Sequence, residues 1–156
     1  MEIRRILGLI TKILVPIDES IQAAKAADYA GNLAKTVGAD ILLITVVSLP
    51  RFTTPFMEGT PSYTITDELL EKDMKYAEGY LEPTARRLAA TGVKVTSKIV
   101  KAEASVVNAI CNTANDEKAD LIIMGTTGMT GLKRILLGSI SSGVVTYAHC
   151  PVLVVR

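Results

Sequence analysis

The segment ADLIIMGTTGMTGLKRILLGSISS (Ala119–Ser142) decides how this chain is read. It opens on a short apolar run, Ala119–Gly125, that reads as a buried strand. Gly125, Gly128, Gly131 and Gly138 follow, mixed with hydroxyl side chains and the pair Lys133-Arg134. Ser139–Ala148 then reads as a short helix, stopped near Pro151. A glycine loop in this setting has two uses. It bends the chain, or it lets backbone N–H groups approach phosphate oxygens where no Cβ stands in the way. A helix N-terminus just after the loop favours an anion through its free N–H groups and its dipole.

Working outward, the same strand-then-helix alternation fills the chain. KILVPI (Lys12–Ile17) is a short apolar run of the buried-strand type. Ser20 offers an N-cap to a helix whose inner face is Ala23, Ala26, Ala27, Ala30, Leu33, Ala34 and Val37, and Gly38 stops it. DILLITVV (Asp40–Val47) is a second buried strand. Residues 48–64 hold three prolines and both phenylalanines, as a long loop would, and such loops are lids, docking surfaces or disordered segments. Thr66 is placed to cap a helix with Leu70, Met74, Ala77, Leu81 and Leu88 inward, which Pro83 should kink or split. VKVTSKIV (Val93–Val100) alternates as an edge strand does. Glu103–Lys118 is helical, with Val107, Ile110 and Ala114 facing in, and VLVVR (Val152–Arg156) is the fifth strand. The order β-α-β-α-β-α-β-α-β predicts one α/β domain, a parallel sheet with helices on both faces.

Composition excludes several classes. A formal net charge of +1 with no run of one sign argues against nucleic acid or a membrane surface as partner. No stretch nears the roughly 20 apolar residues of a membrane span. The start MEIRRILGLITK has too short an apolar run for a signal peptide, and two cysteines make no disulfide framework. A cytoplasmic protein is expected. Of the phosphate signatures, GxGxxG and GxxxxGK[ST] are both absent.

What remains is Gly125-x2-Gly128-x9-Gly138-Ser139. That pattern resembles the ATP-binding signature of the universal stress protein family. KILVPIDES, ADLIIMGTTG and LLGSISSGVVTYAHCPVLVVR match it in order and distance. The resemblance covers residues 12–156. It leaves 1–11 as an N-terminal extension, either an added element or a tail. It implies an open, twisted five-stranded parallel sheet in order 3-2-1-4-5, a single domain of Rossmann-like, adenine nucleotide α-hydrolase-like fold, with its switch point between strands one and four.

The resemblance also implies a nucleotide site. The backbone of Pro16, Ile17 and Asp18 would frame adenine, with the Asp18 carboxylate accepting a hydrogen bond. Val46 would wall the base, and Met124 and Gly125 would close the other side. Gly128, Gly138, Ser139, Ile140 and Ser141 would carry the phosphates, mostly through N–H groups. The implied ligand is ATP, with Mg²⁺ or Mn²⁺ held through the phosphates. The chain departs from many members at Thr126-Thr127, where they have His or Arg, so that side-chain contact to ribose or phosphate is either missing or replaced by a hydroxyl.

Three functions of different class stand open: a nucleotide-dependent dimeric switch in stress response, a slow ATPase, and a nucleotide-free interaction module. The ATPase lacks a Walker lysine and a placed base, since the single histidine, His149, lies near the last strand. No catalytic residue is assigned: His149-Cys150 reads as incidental, Cys111 as a small core residue, and Lys133-Arg134 as a solvated loop face. Asp18 is a turn former or a ligand contact, and its place favours contact. Val152, Leu153, Val154 and Val155 form an uncharged edge strand, which invites pairing about a twofold axis into a homodimer. The protein partner of such a switch is not encoded in any motif.

Overall fold

The computed structural model describes residues 9–48, 62–103, 105–126 and 137–156. Five strands, β1 (Lys12–Pro16), β2 (Asp40–Ser48), β3 (Val95–Ala102), β4 (Leu121–Gly125) and β5 (Val152–Val155), form one parallel sheet in the order β3-β2-β1-β4-β5. Four helices connect them: α1 (Ile21–Val37), α2 (Ser62–Ala89), α3 (Val106–Asp116) and α4 (Ser139–Tyr147).

Strand alternation splits the core into two layers. Ile13, Val15, Ile17, Ile41, Leu43, Leu121 and Ile123 face α1 and α2, where the alanines of α1 and Leu81, Ala85 and Leu88 of α2 meet them. Leu14, Leu42, Ile44, Ile122 and Met124 face α3 and α4, against Ile110, Ala114 and Val144. The three inner strands β2, β1 and β4 are therefore apolar on both faces, while β3 alternates as an edge strand should. Burying a single Ile or Leu here contributes about 1.5–3 kcal/mol. The alanine face of α1 lets that helix lie close to the sheet.

The ends of α1 are as the residues dictate. Ser20 accepts a hydrogen bond from the N–H of Ala23 at 3.1 Å, and Gly38 takes the left-handed conformation (φ 69°) in which a Cβ would be strained. At the sheet's amino edge, Asp120 Oδ2 accepts from Thr11 N, Thr11 Oγ1 and Lys12 N at 2.9, 2.7 and 3.0 Å. That carboxylate ties the start of β1 to the start of β4.

Two expectations need correction, and a third loses one of its two alternatives. Of the expected loop 48–64, Ser48 closes β2 and Ser62–Thr64 already lie in α2, while 49–61 fall outside the described residues. Thr66 is thus inside α2, not its cap: the helical run begins a turn earlier than the apolar pattern. Pro83 does not split the helix, which runs unbroken from Ser62 to Ala89. Pro83 and Gly79 are both exposed, so the Gly79 carbonyl that loses its helical donor can turn to water. Smaller shifts concern ends: β1 stops at Pro16, β3 runs Val95–Ala102, and α3 begins after Ser105, whose hydroxyl accepts from Asn108 N at 3.5 Å.

Candidate functional site

Between β1 and β4 the sheet opens. The β1–β2 ladder continues to Pro16↔Ile44, and Ile17 N–H then donates to Ile44 O at 2.8 Å. The β4–β5 ladder continues to Gly125↔Val155, and Thr126 N–H donates to Val155 O at 3.0 Å. The β1–β4 ladder holds only Ile13↔Leu121 and Leu14↔Ile122. Past those pairs the two halves part, which is the crevice expected at a switch point in an open parallel sheet.

Alternation decides which side chains share that crevice. Pro16 lies two residues after Leu14, so it shares the α3/α4 face with Val46 and Met124. Ile17 and Gly125 belong to the opposite face. Ile17 is buried against α1 and α2. A Cβ on Gly125 would meet the carbonyl carbon of Gln22 at 2.8 Å and its Cβ at 2.9 Å. Gly125 is therefore glycine because the first turn of α1 packs directly onto the end of β4. Only the backbones of Ile17 and Gly125 can serve the crevice.

The first turn of α4 is bound to the end of β4 through one carbonyl. Thr126 O accepts from Gly138 N at 2.7 Å and from Ser141 Oγ at 2.7 Å, and Ser141 Oγ also lies 3.0 Å from Gly138 O. Ser141 is buried and its hydroxyl is engaged inside the turn, which leaves its N–H as the group it presents at the helix start. Gly138 has no side chain with which to cap the helix, in contrast to Ser20 on α1 and Ser105 on α3. The N–H groups of Ser139, Ile140 and Ser141 have no helical acceptor by geometry, and Ser139 and Ile140 are exposed. Gly128, Thr127, Lys133 and Arg134 fall outside the described residues.

Asp18 has work of its own. Its Oδ1 accepts from Ser20 N at 2.9 Å, an Asx turn that leads into α1. The turn-forming and ligand-facing readings of Asp18 are thus compatible, since a carboxylate has two oxygens.

Two residues beside the crevice were not singled out from the sequence. Thr45 is buried in β2 and its hydroxyl donates to Ile17 O at 3.1 Å. Tyr80 of α2 stands across a cleft of about 270 Å³ from Ile17, Asp18, Glu19 and Ser20. Burial pushes its phenol up, the Thr45 hydroxyl beside it pulls the other way, and the charges of Asp18 and Glu19 add to the rise. The available signal was one hydroxyl in the otherwise apolar run DILLITVV.

Among the described residues, no group of three His, Cys, Asp or Glu is placed to hold a metal ion. Burial raises both free thiols, Cys111 and Cys150, so neither is a ready nucleophile. Cys111 is half-buried, not a full core residue. No described helix is long and apolar enough to cross a membrane.

The sheet order, the two helical layers and the crevice define a doubly wound α/β domain with Rossmann-like topology. The chain belongs to the universal stress protein family, which it matches over residues 10–156. It is 40% identical over 149 residues to universal stress protein MJ0531 of Methanocaldococcus jannaschii, covering 96% of this chain and 84% of that one. It is 34% identical over 151 residues to universal stress protein YxiE of Bacillus subtilis, covering 95% of this chain and all of YxiE. Among solved structures, UspA from Lactobacillus plantarum superposes with a TM-score of 0.82 at 28% identity over 95% of this chain and 99% of that one. Protein MJ0577 gives 0.81 at 31% identity over 94% and 96%. The same fold occurs in universal stress proteins solved with cAMP, with dAMP (Archaeoglobus fulgidus) and with AMP (Arabidopsis thaliana), at 24%, 17% and 18% identity. Those three likenesses concern the fold alone.

Proposed function

We propose that this chain binds ATP in the crevice between β1 and β4 and acts as a nucleotide-dependent, dimeric switch in stress response. The observation that carries the reading is the parting of β1 from β4 beside a helix N-terminus that no side chain caps. The base would rest on Val46 and Met124, framed by the backbone of Pro16, Ile17 and Asp18. The phosphates would take the N–H groups of Ser139, Ile140 and Ser141, with Gly138 and Gly128 giving close approach. Met124 and Gly125 would close the other side of the base, with Thr126 beside them, and the Gly138 N–H itself is engaged by Thr126 O. The residues fit an anion by their donor set, backbone amides at a dipole end. Mg²⁺ or Mn²⁺ would arrive with the phosphates and neutralise part of their charge. The occurrence of adenine nucleotides in other proteins of this fold supports the ligand class.

Dimer formation is proposed through Val152–Val155 of β5, which pairs with β4 on one side only among the described strands. The protein works in the cytoplasm in this reading. Mass spectrometry of the ligand released on denaturing freshly purified protein tests it. Recovered ATP is the expected result. Recovery of ADP or AMP alone would favour hydrolysis over switching.

A further inference from the structure

The β1 exit has two sides. One faces the crevice, and the other is held by Thr45 and by α2. Thr45 is 2% exposed, yet a valine of the same shape would suit that apolar strand better unless its hydroxyl were needed. The hydroxyl is bonded to Ile17 O at 3.1 Å, while Ile17 N–H is bonded to Ile44 O at 2.8 Å. Both peptide groups flanking Ile17 are therefore fixed by β2. The Tyr80 phenol lies beside Thr45, and its ring meets Tyr76 edge-on with centroids 6.1 Å apart. The Tyr76 hydroxyl in turn bonds the Glu19 carboxylate. A chain of contacts thus runs from the β1 exit through Thr45 to two successive turns of α2 and back to Glu19.

The cleft of about 270 Å³ between Ile17–Ser20 and Tyr80 adds a mechanical point. A close-packed wall would resist any shift of the exit, whereas an open cleft leaves room for one. Resting on the nucleotide reading above, we infer that Thr45 and Tyr80 are positioning residues that set the β1 exit for the base and pass occupancy of the crevice to α2. A ligand shifts an element only through contacts that differ between two states. The Thr45–Ile17 bond and the Tyr80 phenol beside Thr45 supply such contacts, because the backbone that Thr45 holds is the backbone that frames the base. In the switch, α2 is the element that responds.

The test uses the full chain and the variants Thr45→Val, Thr45→Ser and Tyr80→Phe. ATP with Mg²⁺ is titrated by calorimetry, and hydrogen exchange across 74–88 is followed with and without ATP. Thr45→Val should weaken ATP binding about 3- to 10-fold, the worth of one hydrogen bond, Tyr80→Phe should weaken it by about twofold or more through the loss of the phenol beside Thr45, and Thr45→Ser should restore it to within about twofold. In the wild type, exchange across α2 should slow on ATP addition, and at saturation it should slow less in Thr45→Val. Wild-type affinity in both Thr45→Val and Tyr80→Phe overturns the inference, as does α2 exchange indifferent to ATP. Equal losses in Thr45→Ser and Thr45→Val also overturn it, since the hydroxyl would then not be the cause. If Thr45→Val does not fold, Tyr80→Phe and the wild-type exchange decide alone. A wild type that binds no ATP overturns the nucleotide reading itself, and this inference with it.

Discussion

A Cβ on residue 125 would stand 2.8 Å from the carbonyl carbon of Gln22, closer than side chains pack. Gly125→Ala should therefore lower the unfolding free energy by about 1–3 kcal/mol, because helix backbone, and not a flexible side-chain tip, must yield. Urea unfolding measures it, and an unchanged midpoint would contradict the packing argument. The glycine was legible as part of a motif, but its reason was not, since its neighbour lies far away in sequence. Ser141 is the reverse case: its hydroxyl has a clear structural use, donating to Thr126 O at the end of β4, that the sequence alone did not reveal. Glu117 gives a pH dependence. The hydrogen bond from Lys12 at 2.8 Å, and then its charge, hold the carboxyl below its usual range, with Lys98 helping at 3.4 Å. A depressed folded pKa means the unfolded chain binds the proton more readily. The contribution is therefore complete above the ordinary carboxylate value and is lost as pH falls through the depressed one. The pair is solvated, so it is worth less than about 1 kcal/mol. Glu117→Gln should flatten the fall in urea midpoint between about pH 5 and 3; an identical slope in both proteins would remove Glu117 as its source.

The helices and strands differ in how plainly they were written. β1, β2 and β4 stood out because strands buried on both faces read as apolar runs. α1 stood out because Ser20 and Gly38 bracket a strict alanine face. α2 was misread at its start, and of the two outcomes expected at Pro83, a kink or a split, the split does not occur because tertiary packing keeps the helix whole. Ala77, Leu81, Ala85 and Leu88 hold both sides of Pro83 onto the sheet. Restoring the missing donor with Pro83→Ala should raise the unfolding free energy by about 1–2 kcal/mol, the helix gain being reduced by the freer unfolded chain. Thermal unfolding checks this. A lower melting temperature would mean that the proline shapes a bend the packing requires.

For the molecule as a whole, alternation made a parallel sheet with helices on both faces legible, while the strand order and the switch point came only with the family resemblance that the glycine spacing carries. Which face of the sheet each candidate residue takes was not stated by any motif. Parity along β1, β2 and β4 puts Pro16, Val46 and Met124 on one side. Assembly belongs here too. Leu153 and Val155 pack on one core layer and Val152 on the other, leaving Val154 as the half-buried β5 residue packed on neither cluster. Val154→Asp should yield a folded monomer by sedimentation, because a charge on an edge strand opposes pairing with a second copy. A dimer that survives the substitution would place the interface elsewhere.

The central claim is that the crevice between β1 and β4 holds ATP on the first turn of α4. Calorimetric titration of ATP with Mg²⁺ into the full chain and into Gly138→Val tests it most directly. The account predicts saturable binding near one nucleotide per chain for the wild type, and none for a Gly138→Val protein that keeps its fold, because a Cβ at the helix start blocks close backbone approach. Equal affinity in the two proteins would contradict the placement of the phosphates. A wild type that fails to bind at about 1 mM, where the interaction is worth only about 4 kcal/mol, would contradict the claim altogether.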